Sequence, residues 1–143
     1  MNASMTQFEN EHTTQVHTPN YVLLFDKQKI GPSVVDGDAA AYGVVVYGFT
    51  DEVGYRAFMA SSQRLLMPYP LVKTYLRDQL SDDSSLLKLV VVDAAGPQEL
   101  QLKAVTMQAV LTALEEKSTH MTATHELEYV PAHDSYRVKD QAA

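Results

Sequence analysis

Residues 86–93 read LLKLVVVD, and this apolar run is followed by the turn AAGP at residues 94–97 and by a long periodic segment from Gln98. The chain holds a second copy of this arrangement, because AAYGVVVYGF at residues 40–49 leads into Thr50-Asp51-Glu52. Thr50 suits the N-cap of a helix, and the acidic residues suit its first turn. Valine-rich runs that alternate with helices predict a domain in which helices cover a sheet.

Two further short segments look like strands, which brings the predicted sheet to about four: residues 21–25, 40–49, 86–93 and 123–130. Turn signals at Gly31-Pro32 and Asp36-Gly37 lie between the first two and favour an antiparallel pairing of neighbours. The sequence therefore predicts an α+β fold, with a mainly antiparallel sheet and two or three helices packed on it. The alternative is a small open α/β sheet in which residues 40–49 and 86–93 run parallel.

The helices are predicted from apolar residues at helical spacing. One helix begins near Thr50 and ends before Pro68, a second begins at Pro70, and a third spans residues 98–117. Residues 135–138 could add a short edge strand. Residues 1–18 are rich in polar side chains and predict a flexible tail, which leaves residues 19–140 as a single α+β domain.

The predicted helix at residues 98–117 carries two apolar stripes instead of one. Its first stripe includes Leu100 and Leu111, and its second stripe lies on the opposite side. A surface helix of a monomer needs only one such stripe. Either another helix of this chain covers the second stripe, or a second copy of the chain does. We therefore predict a homodimer interface formed by these residues: Leu102, Val105, Ala109 and Ala113 of the second stripe, together with Tyr69 of an apolar corner.

Composition narrows the classes of protein that fit. The 143 residues carry a formal net charge of −7, which disfavours nucleic acid as a partner because phosphates would be repelled. The chain has no cysteine, so disulfides and thiolate chemistry are excluded and a cytoplasmic location is expected. No apolar run approaches the ~18 residues of a membrane span, so we expect no membrane partner.

The sequence contains no recognisable catalytic or cofactor motif. Neither strand-to-helix turn has the glycines of a phosphate-binding loop, and no serine lies in a nucleophile motif. A cluster of histidines and acids between His120 and Asp134 could suggest a metal. His125 and Glu126 would point to opposite faces of a strand, however, so no metal and no cofactor is predicted.

The sequence favours a small cytoplasmic, acidic, non-enzymatic domain that acts through self-association or through another protein. The competing hypothesis is a small enzyme or ligand-binding protein with a pocket between the sheet and the helices. In that case His125 would act as the acid or base, because its pKa lies near neutrality. The other polar groups of that pocket would be Arg64, Asp93 and Tyr129.

Overall fold

The computed structural model describes residues 14–35, 42–82 and 86–140. Within these ranges the helices are α1 (Glu52–Ser61), α2 (Lys73–Leu80) and α3 (Met107–Glu115). The strands, in chain order, are β1 (Gln15–His17), β2 (Tyr21–Phe25), β3 (Gln28–Lys29), β4 (Tyr42–Phe49), β5 (Met67–Pro70), β6 (Leu87–Val92), β7 (Gln101–Thr106), β8 (His120–Thr122), β9 (His125–Val130) and β10 (Ser135–Asp140).

Most of the strands belong to one mixed sheet. Its order is β10-β9-β7-β6-β4-β2, with β3 and β5 both paired to β2, while β1 and β8 form a separate two-stranded sheet. All pairs are antiparallel except β4 and β6, which run parallel. The predicted α+β class is confirmed, as is the antiparallel pairing of β2 with β4. The sheet is larger than the four strands expected, and its one parallel pair is the one foreseen in the α/β alternative.

The prediction of a helix over residues 98–117 is wrong, because Gln101–Thr106 is strand β7 and only Met107–Glu115 is helical. Leu102 and Ala104 face one side of β7, while Val105 faces the other, and all three are fully or almost fully buried. Two opposite apolar stripes thus arise from a strand covered on both faces. Thr106 ends the strand and caps α3, since its Oγ1 accepts a hydrogen bond from the amide of Ala109.

Alternating strand residues supply two cores, one on each face of the sheet. The first core includes Tyr47, Leu89 and Leu127, and helix α1 covers it with Phe58. The second core includes Val46 and Val90, and helices α2 and α3 cover it. Period-two alternation within β4 and β6 explains how one run of valines and leucines supplies both cores.

A strap formed by residues 30–35 joins the two ends of the sheet. At one end Ile30 donates to the carbonyl of Leu23 and accepts from the amide of Tyr47, both at 3.0 Å. At the other end Tyr136 of β10 donates to the carbonyl of Ser33 at 2.8 Å and accepts from the amide of Val35 at 3.0 Å. Because β10 lies four places from β4 in the strand order, these bonds curl the sheet around the first core.

Strand β5 occupies the segment where the sequence predicted the boundary between two helices, the first ending before Pro68 and the second beginning at Pro70. Leu71 donates to the carbonyl of Asn20, so the amides of Tyr69 and Met67 face β2 as well. Pro68 and Pro70 therefore occupy the alternate positions of β5, where the backbone amide of another residue would point away from β2. The outer edge of β5 lacks those donors, which protects it from pairing with another strand.

The N-terminal prediction is corrected in part. Residues 15–17 form β1 and pair with β8, so this part of the predicted 1–18 tail is tied to the domain. The remainder of the tail up to residue 13, like the turn signal at Asp36-Gly37, lies outside the described residues. The predicted edge strand at residues 135–138 is confirmed as part of β10. Within the described ranges, no helix has the length and apolar character needed to span a membrane.

Candidate binding cleft

A cleft of about 550 Å³ opens beside the first core. One wall is the strap, and the opposite wall is the end of α1 with the residues that follow it. This volume falls in the range of ordinary small-molecule sites. The lining residues are Ile30, Gly31, Pro32, Ser33, Tyr47, Phe58, Ser61, Ser62, Gln63, Arg64, Pro97, Gln98, Tyr129, Asp134 and Tyr136.

Aromatic rings from four separate elements line the cleft. Tyr47 of β4 packs against Phe58 of α1 with ring centroids 4.6 Å apart. Tyr129 of β9 and Tyr136 of β10 meet edge to face at 5.5 Å. The curl of the sheet brings the two pairs to one site although β4 and β10 are distant in the strand order. Tyr47, Phe58 and Tyr136 are nearly buried and form the floor of the cleft, whereas Tyr129 is half-buried and offers more of its ring to a ligand.

The tyrosine hydroxyls of the cleft differ in their hydrogen bonds. Tyr129 donates to Asp134 Oδ1 at 2.7 Å, and Tyr136 donates to the carbonyl oxygen of Glu99. Burial raises the pKa of Tyr136, and the hydrogen bond to Asp134 raises the pKa of Tyr129. The Tyr47 side chain is only 4% exposed, and its hydroxyl has no hydrogen-bond partner among the described residues.

The Tyr47 phenol stays protonated over the physiological pH range. Burial is the main cause that raises its pKa, and the nearby Tyr136 and Glu99 act in the same direction. The guanidinium of Arg64, which lines the same cleft, acts on the pKa of Tyr47 in the opposite direction. A protonated phenol that lines a cleft can donate a hydrogen bond to whatever occupies the cleft.

Arg64 is held at the rim by the chain that follows α1. The helix ends at Ser61, and the amide of Arg64 donates to Ser62 Oγ at 3.1 Å. The guanidinium lies over the ring of Phe25, with Cζ 5.1 Å from the ring centroid. None of the ion pairs formed within residues 14–35, 42–82 and 86–140 involves Arg64. Its charge is therefore available to a bound anion.

Two of the four predicted pocket residues, Arg64 and Tyr129, line this cleft together. His125 shares a face of β9 with Tyr129, but the two residues are four positions apart along the strand, a distance of about 13 Å. His125 is buried, and its Nδ1 lies 2.9 Å from Thr124 Oγ1. The structure therefore does not place His125 in the cleft.

Asp93 has a structural role elsewhere. Its carboxylate accepts from the Thr50 amide at 2.8 Å and from Thr50 Oγ1 at 2.6 Å, which ties the carboxyl ends of β4 and β6 together. Asp93 also lines a separate depression of about 270 Å³ that includes His17 and Lys103. The predicted convergence of all four pocket residues is therefore wrong.

The predicted interface residues do not share one surface. Leu102, Val105 and Ala113 are buried inside the chain, and Ala109 is half-buried against the second core. An exposed stripe formed by these residues does not exist, because the helix on which it was based is partly strand. Tyr69, in contrast, is exposed on β5 as expected.

The histidines and acids of the C-terminal region are spread over three elements. His120 is on β8 and contacts the ring of His17, His125 is on β9, and His133 is in the turn before β10. In the part of the chain that the structure describes, no three or more His, Cys, Asp or Glu side chains are placed to hold a metal ion.

Sequence reasoning missed Tyr47, Phe58 and Tyr136 as members of the site. Tyr47 follows three valines in β4 and reads as an ordinary core residue. A usable signal was the alternation in YRV at residues 136–138, which predicts that Tyr136 shares the inner face with Val138. The strap that brings β10 to β4 has no such signal.

The sequence matches no protein-family model, and no curated protein or solved structure is significantly similar to it.

Proposed function

We propose that this protein is a small-molecule-binding domain whose ligand occupies the cleft at Tyr47, Arg64 and Tyr136. The observation that carries the proposal is the combination of aromatic rings in the lining with an arginine that has no acidic partner among the residues described. Binding sites typically pair apolar walls with a few convergent polar groups. The absence of cysteine fits the cytoplasm as the proposed location.

Binding is favoured over catalysis by the chemistry of the lining. The described residues around the cleft include no histidine, lysine or cysteine, the side chains that most readily exchange protons or attack substrates near neutral pH. The carboxylate of Asp134 accepts a hydrogen bond from Tyr129. We therefore keep the protein in the non-enzymatic class.

A tryptophan placed in the cleft tests the proposal. Gln98 is exposed and lines the cleft, so Gln98→Trp fills the space without disturbing either core. Gln108→Trp is the matched control, because Gln108 is exposed on α3 on the other side of the sheet. A fragment library is screened against the wild type by ligand-observed NMR, and the hits are measured again with both variants.

We expect hits that bind the wild type and Gln108→Trp alike and that lose about tenfold or more in affinity for Gln98→Trp. Hits that bind both variants equally would place the ligand elsewhere. A library that yields no hit on the wild type would overturn the proposal as well.

A second candidate function is self-association through an apolar corner formed by Leu65, Met67 and Tyr69. Leu65 is 91% exposed, and the other two side chains are exposed as well. Exposed apolar patches on a folded domain often mark contacts with proteins. A second copy of the chain is the proposed partner, and it would pack side chains on this corner, because prolines block the outer edge of β5.

Light scattering after gel filtration tests this second candidate. We expect a dimer at tens of micromolar for the wild type and a monomer for Leu65→Ser. Val53→Ser is the matched control, since Val53 is exposed on α1 outside the corner. A monomeric wild type, or a Leu65→Ser variant that remains dimeric, would remove this candidate.

A further inference from the structure

We propose that the ligand of the cleft is a planar aromatic monocarboxylate, bound with its carboxylate at Arg64 and the Tyr47 hydroxyl and with its ring against the half-buried Tyr129, over a floor formed by Tyr47, Phe58 and Tyr136. This inference rests on the proposed function and adds the chemical class of the ligand. It is built from the charge at the rim, the polarity of the walls and the shape of the lining.

The charge of the ligand follows from Arg64. Stacking on Phe25 orients the guanidinium without neutralising it, and no acidic side chain in the described residues pairs with it. A planar guanidinium binds a carboxylate through two parallel hydrogen bonds. Asp134, the other charged side chain of the lining, would repel an anion, so the carboxylate belongs at the Arg64 side. Glu99 also acts on Tyr47, but its carboxylate already accepts a hydrogen bond from the amide of Ala95 at 2.7 Å.

A single negative charge fits better than a phosphate. Arg64 is the only cationic side chain among the described residues that line the cleft. Ser61 marks the C-terminal end of α1, where the helix dipole is negative and disfavours a dianion. The protein as a whole is also acidic, with a formal charge of −7. One arginine and one neutral phenol suit a monocarboxylate.

The position of the carboxylate is fixed by a second donor. The Tyr47 hydroxyl is protonated, lines the cleft and has no partner in the described parts of the chain. Arg64 lines the same cleft. A carboxylate placed between the two groups would accept hydrogen bonds from both. The guanidinium would donate to the two carboxylate oxygens, and the phenol would donate to a remaining lone pair on one of them.

The aromatic part of the ligand follows from the walls. Tyr47 and Phe58 form one pair of rings, and Tyr129 and Tyr136 form the other. Tyr129 is the half-buried member of the four and the ring most open to a ligand, while the other three are buried beneath it. An accessible aromatic ring favours offset or edge-to-face packing with another ring. A saturated ring of similar size would keep the apolar area but lose this geometry.

Three probes separate the parts of the proposal: benzoate, the neutral benzamide and the non-planar cyclohexanecarboxylate. Dissociation constants are read from titrations followed by amide proton–nitrogen correlation spectra, using the signals of residues 62–64. We expect benzamide to bind about tenfold more weakly than benzoate, because it lacks the charge. Cyclohexanecarboxylate should bind about threefold more weakly, because it lacks the planar ring.

Variants assign the donors. Arg64→Gln should weaken benzoate about tenfold and leave benzamide within about twofold, and Arg64→Lys should fall between wild type and Arg64→Gln. Arg56→Gln is the matched control, because Arg56 is an exposed arginine of α1 that pairs with Glu52 away from the cleft. Tyr47→Phe should weaken benzoate about threefold or more.

Two results would overturn the proposal. If benzamide or cyclohexanecarboxylate shifts the same signals with an affinity equal to that of benzoate, the ligand class is wrong and the cleft remains a binding site. If no probe shifts the signals of residues 62–64 in the wild type, both the proposed ligand class and the proposed binding function are wrong.

Discussion

Tyr47 is the residue whose protonation should affect stability most at alkaline pH. Burial raises its pKa above the ordinary value of 10.0, so the folded state keeps the phenol proton up to a higher pH than the unfolded state does. The stabilisation is complete below pH 10 and is lost as the pH rises above that value. We expect the free energy of unfolding of wild type to fall between about pH 10 and about pH 11, and to fall less for Tyr47→Phe.

Urea unfolding followed by circular dichroism at several pH values checks this expectation. Tyr69→Phe is the control, since Tyr69 is exposed on β5 and should leave the slope of wild type unchanged. The explanation fails if Tyr47→Phe loses stability with pH as steeply as the wild type.

Asp93 should matter for folding and not for the ligand. Its carboxylate receives two hydrogen bonds from Thr50, and its backbone has a left-handed φ of 54° that asparagine tolerates. Asp93→Asn should therefore lower the free energy of unfolding by about 1 kcal/mol through weaker hydrogen bonds. Its affinity for benzoate should equal that of wild type, and a large loss of affinity would contradict the position of the cleft.

Strand β7 offers a direct comparison between two leucines that are two residues apart. Leu102 is fully enclosed in the first core, whereas Leu100 is 65% exposed just before the strand. Leu102→Ala should cost about 2–5 kcal/mol of stability, and Leu100→Ala should cost less than about 0.5 kcal/mol. Denaturant melts of the two variants measure the difference, and equal losses would contradict the strand assignment.

The strap depends on a glycine that lies against the backbone of β4. A Cβ added at Gly31 would lie 1.8 Å from the carbonyl oxygen of Val45, and a backbone atom cannot move aside as a flexible side chain can. Gly31→Ala should therefore destabilise the protein by about 1–3 kcal/mol and weaken benzoate binding by displacing the strap.

Gly54→Ala is the control for the strap variant. Gly54 lies in α1, where an added Cβ would make only ordinary contacts, the nearest at 3.5 Å from Asp51 Oδ1. Alanine in a helix should stabilise the protein by about 0.5–1 kcal/mol. Thermal melts report both variants, and a neutral Gly31→Ala would show that the strap is loosely attached.

Residues 101–106 show the limits of sequence reasoning about the elements. Leu100, Ala104, Met107 and Leu111 fit a helical period, so one continuous helix accounted for the whole segment. The signals against it were local: alternation of Leu102 and Ala104 with Gln101 and Lys103, and Thr106 as a cap. Periodicity alone does not separate a strand buried on both faces from a helix.

The molecule as a whole is a sheet curled between two cores, and the curl creates the cleft. Strands β2, β4, β6 and β9 were predictable because their apolar runs are local features of the chain. Arg64 and Tyr129 were predicted as pocket residues, but Tyr47 and Tyr136 were not. Tyr47 and Tyr136 come together because the strap forms hydrogen bonds with β10. The strap and β10 are about a hundred residues apart in sequence, so this contact leaves no periodic pattern in the sequence.

A crystal structure of the protein with 4-bromobenzoate tests the binding cleft most directly, because the anomalous signal of bromine locates the ligand independently of interpretation. We expect one strong bromine peak in the cleft beside the ring of Tyr129, with the carboxylate of the ligand on the guanidinium of Arg64. A peak at another surface, or no peak in the cleft at a concentration that saturates binding in solution, would contradict the account.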